Sequence, residues 1–176
     1  STGAWVSTFA NNSYPTFQTY RTNNTTIGSY TATSDNDIIG AVNFYGSSAS
    51  AHTLGASIDI RQDGSASTNT PTRMDFYVSN GSNISNPLMS LDGPDQRVGI
   101  GTKTPKGLVE INSSTTPELI FNDTGGGSGS KIFRLSGGGD KFFFEGRNDN
   151  NDGDGDAPIL QAFNLTNGYV GFGDDA

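Results

Sequence analysis

Cysteine is absent from the chain and histidine occurs once, as His52. The first absence excludes a disulfide framework and leaves the redox compartment open. Together they exclude an ordinary zinc centre, which needs more nitrogen and sulfur ligands than one histidine supplies, unless three chains each brought one His52 to a shared axis. His52 lies in the turn-like "SASAHTL", where spacing identifies no serine or cysteine nucleophile, so catalysis through it is not expected.

Positive charge is also scarce. With 10 Lys and Arg against 18 Asp and Glu, the formal net charge is −8. Nucleic acid and anionic membrane surfaces require a basic face that displaces counterions, so neither is an expected partner. No apolar run approaches the roughly 20 residues that span a bilayer, and no charged-then-apolar signal segment opens the sequence. The expectation is a chain soluble throughout, without membrane insertion. Hydrophobic residues amount to 32%, well below the ~45–50% of ordinary globular domains, a figure that also counts glycine. That share makes a thin core for a self-sufficient monomer.

What the chain does have is 24 Gly, 11 Phe and 6 Tyr among many isolated Ile and Val. The aromatic and branched residues argue against disorder and must be buried somewhere. Association with copies of itself is one standard way for a core-poor chain to bury them. Period-two alternation recurs and marks strands: Val42 with Phe44, Ile58 with Ile60, and Met74 with Phe76 and Val78. It continues with Val109 and Ile111, Leu119 and Phe121, Phe133 and Leu135, then Phe142 and Phe144. Turn-rich stretches such as "TSDND", "DGSASTNTPT", "DGPDQ" and "SGGGD" separate them. The fold class expected is all-β, built of short antiparallel strands and glycine-rich turns.

"RVGIGTKTP", Arg97 to Pro105, carries Gly99 and Gly101 but lacks the third glycine and the following helix of a dinucleotide loop, so no cofactor is expected. The frame x-V-G-apolar-G returns in "YVGFGDDA", Tyr169 to Ala176, and therefore punctuates a repeat. Three segments result: 1–14, a lead-in strand or the end of a preceding module; 15–106, a first β module ending in RVGIGT; and 107–176, a second ending in YVGFG. The modules open alike, "PTFQTYRTN" against "PELIFNDTG", each read as an alternating strand. Val98 and Ile100 share a face, as do Val170 and Phe172, and are expected to point inward or toward neighbouring chains. The glycines between and after them leave room for another backbone.

The run "GAVNFYGSSASAHTLGASIDIRQDGSASTNTPTRMDFYVSNGSNISNPLMSLDGPDQRVGIGTKTP" resembles the repeated module of bacteriophage and related viral tail fibres, with its "ASI" strand, "PTR" turn and closing "RVGIGT-SP". "PELIFNDTGGGSGSKIFRLSGGGDKFFFEG" resembles a second module of the same fibres. The later motif departs from the pattern, with Phe172 in place of Ile and "DDA" in place of "T-SP". The resemblance implies an elongated, repeat-built homotrimer: a structural, non-enzymatic fibre or spike segment on an extracellular virion. Its partners would be neighbouring fibre segments and, as a further candidate, host surface glycans. Many such fibres carry a C-terminal endosialidase-type intramolecular chaperone. Nothing of it is visible here, and its cleavage serine and catalytic partners match no position in this chain.

Two alternatives remain. A polysaccharide-degrading spike would need paired carboxylates, for which Asp59, Asp63, Asp75, Glu118 and Glu145 are candidates; most are spaced as outward-facing strand or turn residues. A glycan-binding module would need exposed aromatics. Trp5, Tyr14, Tyr20, Tyr45 and Tyr77 could stack on sugars, with Tyr45 and Tyr77 favoured because each follows an inward phenylalanine and so faces solvent. In "NDNNDGDGDA", Asp152, Asp154 and Asp156 alternate like the first ligands of a calcium loop. The required later positions hold Ala157 and Phe163, so a solvated acidic hairpin tip is expected and no metal is assigned.

Overall fold

A computed structural model of the protein describes residues 18–81, 86–122, 124, 132–138, 141–147, 159–164 and 170–171. Two compact units are present, the first ending at Glu110 and the second beginning at Ile111. The described residues form strands and turns and no helix. None therefore contains a helix long and apolar enough to cross a membrane.

The first sheet runs in chain order: β1 (Ile38–Ser47), β2 (His52–Gln62), β3 (Thr72–Val78), β4 (Met89–Asp92), β5 (Arg97–Ile100) and β6 (Val109–Ile111). The second sheet follows the same plan with β7 (Glu118–Asn122), β8 (Ile132–Gly138), β9 (Lys141–Arg147), β10 (Ile159–Asn164) and β11 (Val170–Gly171). Neighbours from β1 to β5 and from β7 to β11 pair antiparallel. In the first sheet the Gly-, Asn- and Ser-rich stretches form the connections, with positive φ at Gly64, Gly81 and Gln96 among them. "PTFQTYRTN" forms no strand over its described part, which starts at Gln18. Its residues spend their polar groups on the chain ahead of β1 instead: Arg21 Nη2 bonds Asp37 Oδ1 at 2.8 Å and Asn23 Nδ2 bonds Asp37 Oδ2 at 3.0 Å. The N–H of Ser34, followed by Asn23 and with help from Arg21, holds the Asp37 carboxyl below its ordinary value against the opposing effect of desolvation.

Register sorts side chains onto two faces, since directly opposed residues in a sheet point the same way. One face of the first sheet carries two apolar rows. Val42, Ile58, Phe76, Met89 and Ile100 line up across β1 to β5, and Ile60, Met74, Leu91 and Val98 line up beside them. The other face carries Ser57 opposite Tyr77, Asp59 opposite Asp75 opposite Ser90, and Arg61 opposite Arg73 opposite Asp92. Burial is the reverse of a globular domain. Among the described residues the largest fully buried side chains are Gln62, Asp75 and Ser90, whereas Val42, Phe44, Leu91 and Ile100 are exposed. Among the described residues, only Tyr77 and Ile132 are buried hydrophobics.

The second sheet repeats this arrangement. Leu119 opposes Leu135 opposite Phe144, and Phe121 opposes Phe133 beside them. Their rings meet edge to face and tilted, with Phe142 and Phe144 centroids 5.1 Å apart and Phe121 and Phe133 centroids 6.1 Å apart. Phe121 and Leu119 nonetheless remain exposed. The opposite face holds Glu118, Arg134, Ser136 and Glu145, together with Ile120 and Phe143. In both sheets the apolar face thus keeps exposed side chains, among them Phe44, Leu91, Leu119 and Phe121, while Asp75 and Glu145 are buried on the other.

The glycine motif has a definite local cause. A Cβ on Gly99 would sit 2.2 Å from the Thr102 carbonyl oxygen, and Gly101 has φ of +76°. The two glycines therefore make the tight turn after β5, and the backbone that approaches Gly99 belongs to the same chain. The space that the sequence leaves open to another backbone is filled at Gly99 by the turn itself. Val98 and Ile100 share the apolar face, as the alternation requires. Phe172 and the side chain of Val170 lie outside the described residues.

Candidate functional site

The charged face of the first sheet brings together the acids that sequence reasoning could not place. Asp59 and Asp75 stand directly opposite one another, an arrangement that repels unless cations intervene. Arg61 and Arg73, one pleat along on the same face, supply them. Arg61 Nη2 reaches Asp59 Oδ2 at 2.7 Å and its Nε lies 3.7 Å from Asp75 Oδ2. Arg73 Nε bonds Asp75 Oδ2 at 2.9 Å while its Nη1 takes Asp63 Oδ1 at 3.0 Å. Its Nη2 donates to Asn36 Oδ1 at 2.7 Å, so one guanidinium ties the β2–β3 loop and the turn before β1 to the centre of β3.

Asp75 is 0% exposed and both of its oxygens are engaged. Ser90 donates to Oδ1 at 2.7 Å, and Oδ2 accepts from Arg73 and from the Tyr77 hydroxyl at 3.3 Å. Neither oxygen is presented to a substrate or to a water that could attack one. Asp59 and Asp75, expected among outward-facing acids, are buried because the alternate polar positions pack on each other. The second sheet holds a smaller version, in which Arg134 pairs with Glu145 and, at 2.8 Å, with Glu118 Oε1. Here too the two candidate acids are joined by a cation.

Tyr77 corrects the sequence reading. It does face away from the apolar rows, yet it is only 9% exposed, because that face is packed. Arg61 lies over one face of its ring, 5.8 Å from the centroid, and the low exposure leaves little of the ring for a sugar to stack on. Tyr45, by contrast, is 62% exposed and available for stacking. Burial pulls the Arg73 guanidinium down, but the hydrogen bond and charge of Asp75, with Asp63, outweigh it and leave Arg73 above its ordinary value. Burial, followed by the charge of Asp75, pushes the Tyr77 phenol up. The folded pKa of Tyr77 is thus raised above its unfolded value near 10, so this group's contribution to stability is complete below about pH 10 and is lost as pH rises through the folded pKa. Spectrophotometric titration of the native protein and of Tyr77→Phe is expected to differ by one phenol ionising above pH 10. A difference spectrum with an ordinary tyrosine midpoint would contradict the packed environment.

His52 has a neighbour that sequence spacing did not reveal. It opens β2 opposite Ser47 at the end of β1, and its Nδ1 lies 3.0 Å from Ser47 Oγ. The hairpin register creates the pair, and both residues are exposed. Among the described residues no carboxylate bonds the other ring nitrogen, so the pair lacks the orienting third group of a catalytic triad.

At one end of the first sheet an open cleft of about 500 Å3 is lined by Asp35, Asp63, Asp92, Arg97, Lys103 and Lys106, with Pro94 and Pro105 among the other walls. Its acids are committed to holding loops. Asp35 accepts from the Gly64 N–H, Asp63 pairs with Arg73, and Arg97 joins Asp95 and the Pro105 carbonyl. No group of three or more metal-ligating side chains occurs among the described residues. Asp152, Asp154 and Asp156 lie outside them. No protein-family model matches the chain, and no curated protein matches it in sequence.

Proposed function

We propose that this chain is a non-enzymatic structural segment of a viral, phage-like tail fibre or spike, assembled as an elongated homotrimer on an extracellular virion. In this reading it presents, or forms part of, a host-attachment apparatus. The observation that carries it is the uncovered apolar face of each sheet. Burying a Val, Leu, Ile or Phe side chain is worth roughly 1.5–3 kcal/mol, and domains as a whole are stable by only ~5–15 kcal/mol. Chains that leave rows of such residues in water are therefore strongly driven to cover them. Copies of the chain supply a matching apolar surface without any other partner. The order of motifs in the sequence supports the viral fibre, and repetition of the module supplies length. Three-fold symmetry multiplies weak contacts at the tip.

The engaged oxygens of Asp75 and the cation between Glu118 and Glu145 weigh against the polysaccharide-degrading reading, whose acids must be accessible to a glycosidic bond. Exposed Tyr45 favours a glycan contact as a second reading.

Substitution at Ile100 tests the assembly. In the single chain Ile100 is 43% exposed, so Ile100→Glu should barely disturb a monomer. In the assembly the same change buries a charge and is expected to reduce the mass in solution to that of one chain while leaving the far-UV β spectrum in place. Wild-type mass in the variant would overturn the reading.

A further inference from the structure

Among the described residues β1 is the last strand of the first sheet, and none of them hydrogen-bonds to the backbone of Gly40–Phe44 from its far side. Native sheet edges are normally blunted by short strands, lysine, proline or charge. The opposite edge follows that practice, because β6 is three residues long and carries Glu110. β1 does not. Its sequence, IIGAVNFYGS, is ten residues long and has neither a charge nor a proline. Irregularities between Ile38 and Gly40 and between Phe44 and Tyr45 bend its two ends. Between them the run Gly40–Phe44 is regular in register; the Thr19 side chain lies against Gly40 at its start, and Ala41 to Phe44 are exposed. Arg21 Nη1 covers only the carbonyl of Ile38, before the run begins.

We propose that the outer edge of β1, from Gly40 to Phe44, pairs by backbone hydrogen bonds with a strand of a second copy of this chain. The inference rests on the assembly reading above and specifies where copies join. Val42 ends the apolar row that continues through Ile58, Phe76, Met89 and Ile100. A copy that covers this row lies beside the edge as well, so a single contact closes both defects. An uncharged strand also offers no side-chain handle for a partner of different chemistry. Left open, such an edge would accept any strand and aggregate, whereas a closed symmetric assembly uses every edge once. In an antiparallel pair, alternate N–H groups point toward the partner and away from it. The outward set of Gly40–Phe44 is what the neighbouring strand takes up.

Amide hydrogen exchange on the full chain, at a concentration where its mass in solution is known, reads this directly. In a bare edge strand every second amide of Gly40–Phe44 is protected by β2 and the others exchange as in free peptide. In the assembled protein both sets are expected to be protected, the outward set by about 100-fold or more. Ile100→Glu, which separates the chains, should return the outward set to fast exchange. An assembled protein whose outward amides exchange freely would overturn the edge contact while leaving the assembly reading standing. Protection that persists in monomeric Ile100→Glu would assign the edge to the chain's own residues and overturn it too. A wild-type protein that is itself monomeric would remove both.

Discussion

Asp75→Ala is expected to cost about 3–5 kcal/mol of stability, because it strands Arg73 on a packed face without its main counter-charge. The magnitude follows from burial: the side chains of Arg73 and Asp75 are 5% and 0% exposed, so solvent does little to screen the loss. Ser90 and Tyr77 also lose their acceptor. Asp95→Ala is the control. Asp95 also pairs with an arginine, Arg97, at 2.9 Å, but its side chain is 55% exposed, and surface pairs are worth ~0–1 kcal/mol. Denaturant melts of the two variants should differ by several-fold in destabilisation. Equal and small effects would mean that the charged face is not packed as described.

Gly99→Val is the second large effect. Any Cβ at this position meets the Thr102 carbonyl oxygen at 2.2 Å, and that atom is backbone, so no rotamer change relieves the clash. The turn after β5 must open, with loss of several kcal/mol or failure to fold. Gly46→Val gives the comparison, since a Cβ there meets nothing within 4 Å and the branched residue suits a strand. Soluble expression and melting of Gly99→Val matching those of Gly46→Val would show that Gly99 is not sterically required. The damage is local to one chain, so it should appear even in a dissociated protein.

Much of the fold was legible because strands write themselves at period two. Ile58 with Ile60, Met74 with Phe76, and Phe133 with Leu135 each fix one face of a strand, and the Gly-, Asn- and Asp-rich stretches between them fix the reversals. The charged face was less legible. Alternation places Asp59 and Asp75 on the side opposite the isoleucines, but whether that side meets water depends on what stands across from it. The register of β2 on β3 sets that, and in this hairpin it brings two acids and two arginines into one patch. Tyr77 was misread for the same reason: a residue opposite an apolar row is not thereby in solvent. The Ser47–His52 contact exists only because the β1–β2 hairpin closes with those two residues facing. At "PTFQTYRTN" the alternation misled, since the described residues from Gln18 onward engage the turn ahead of β1 through Arg21 and Asn23.

The central claim is that copies of the chain cover the apolar faces that one chain leaves in water. Sedimentation equilibrium across a wide concentration range measures it most directly. The account predicts a single species of three times the 18.5 kDa chain mass that persists on dilution. A monodisperse particle of 18.5 kDa, folded and unfolding cooperatively with no dependence on concentration, would contradict it.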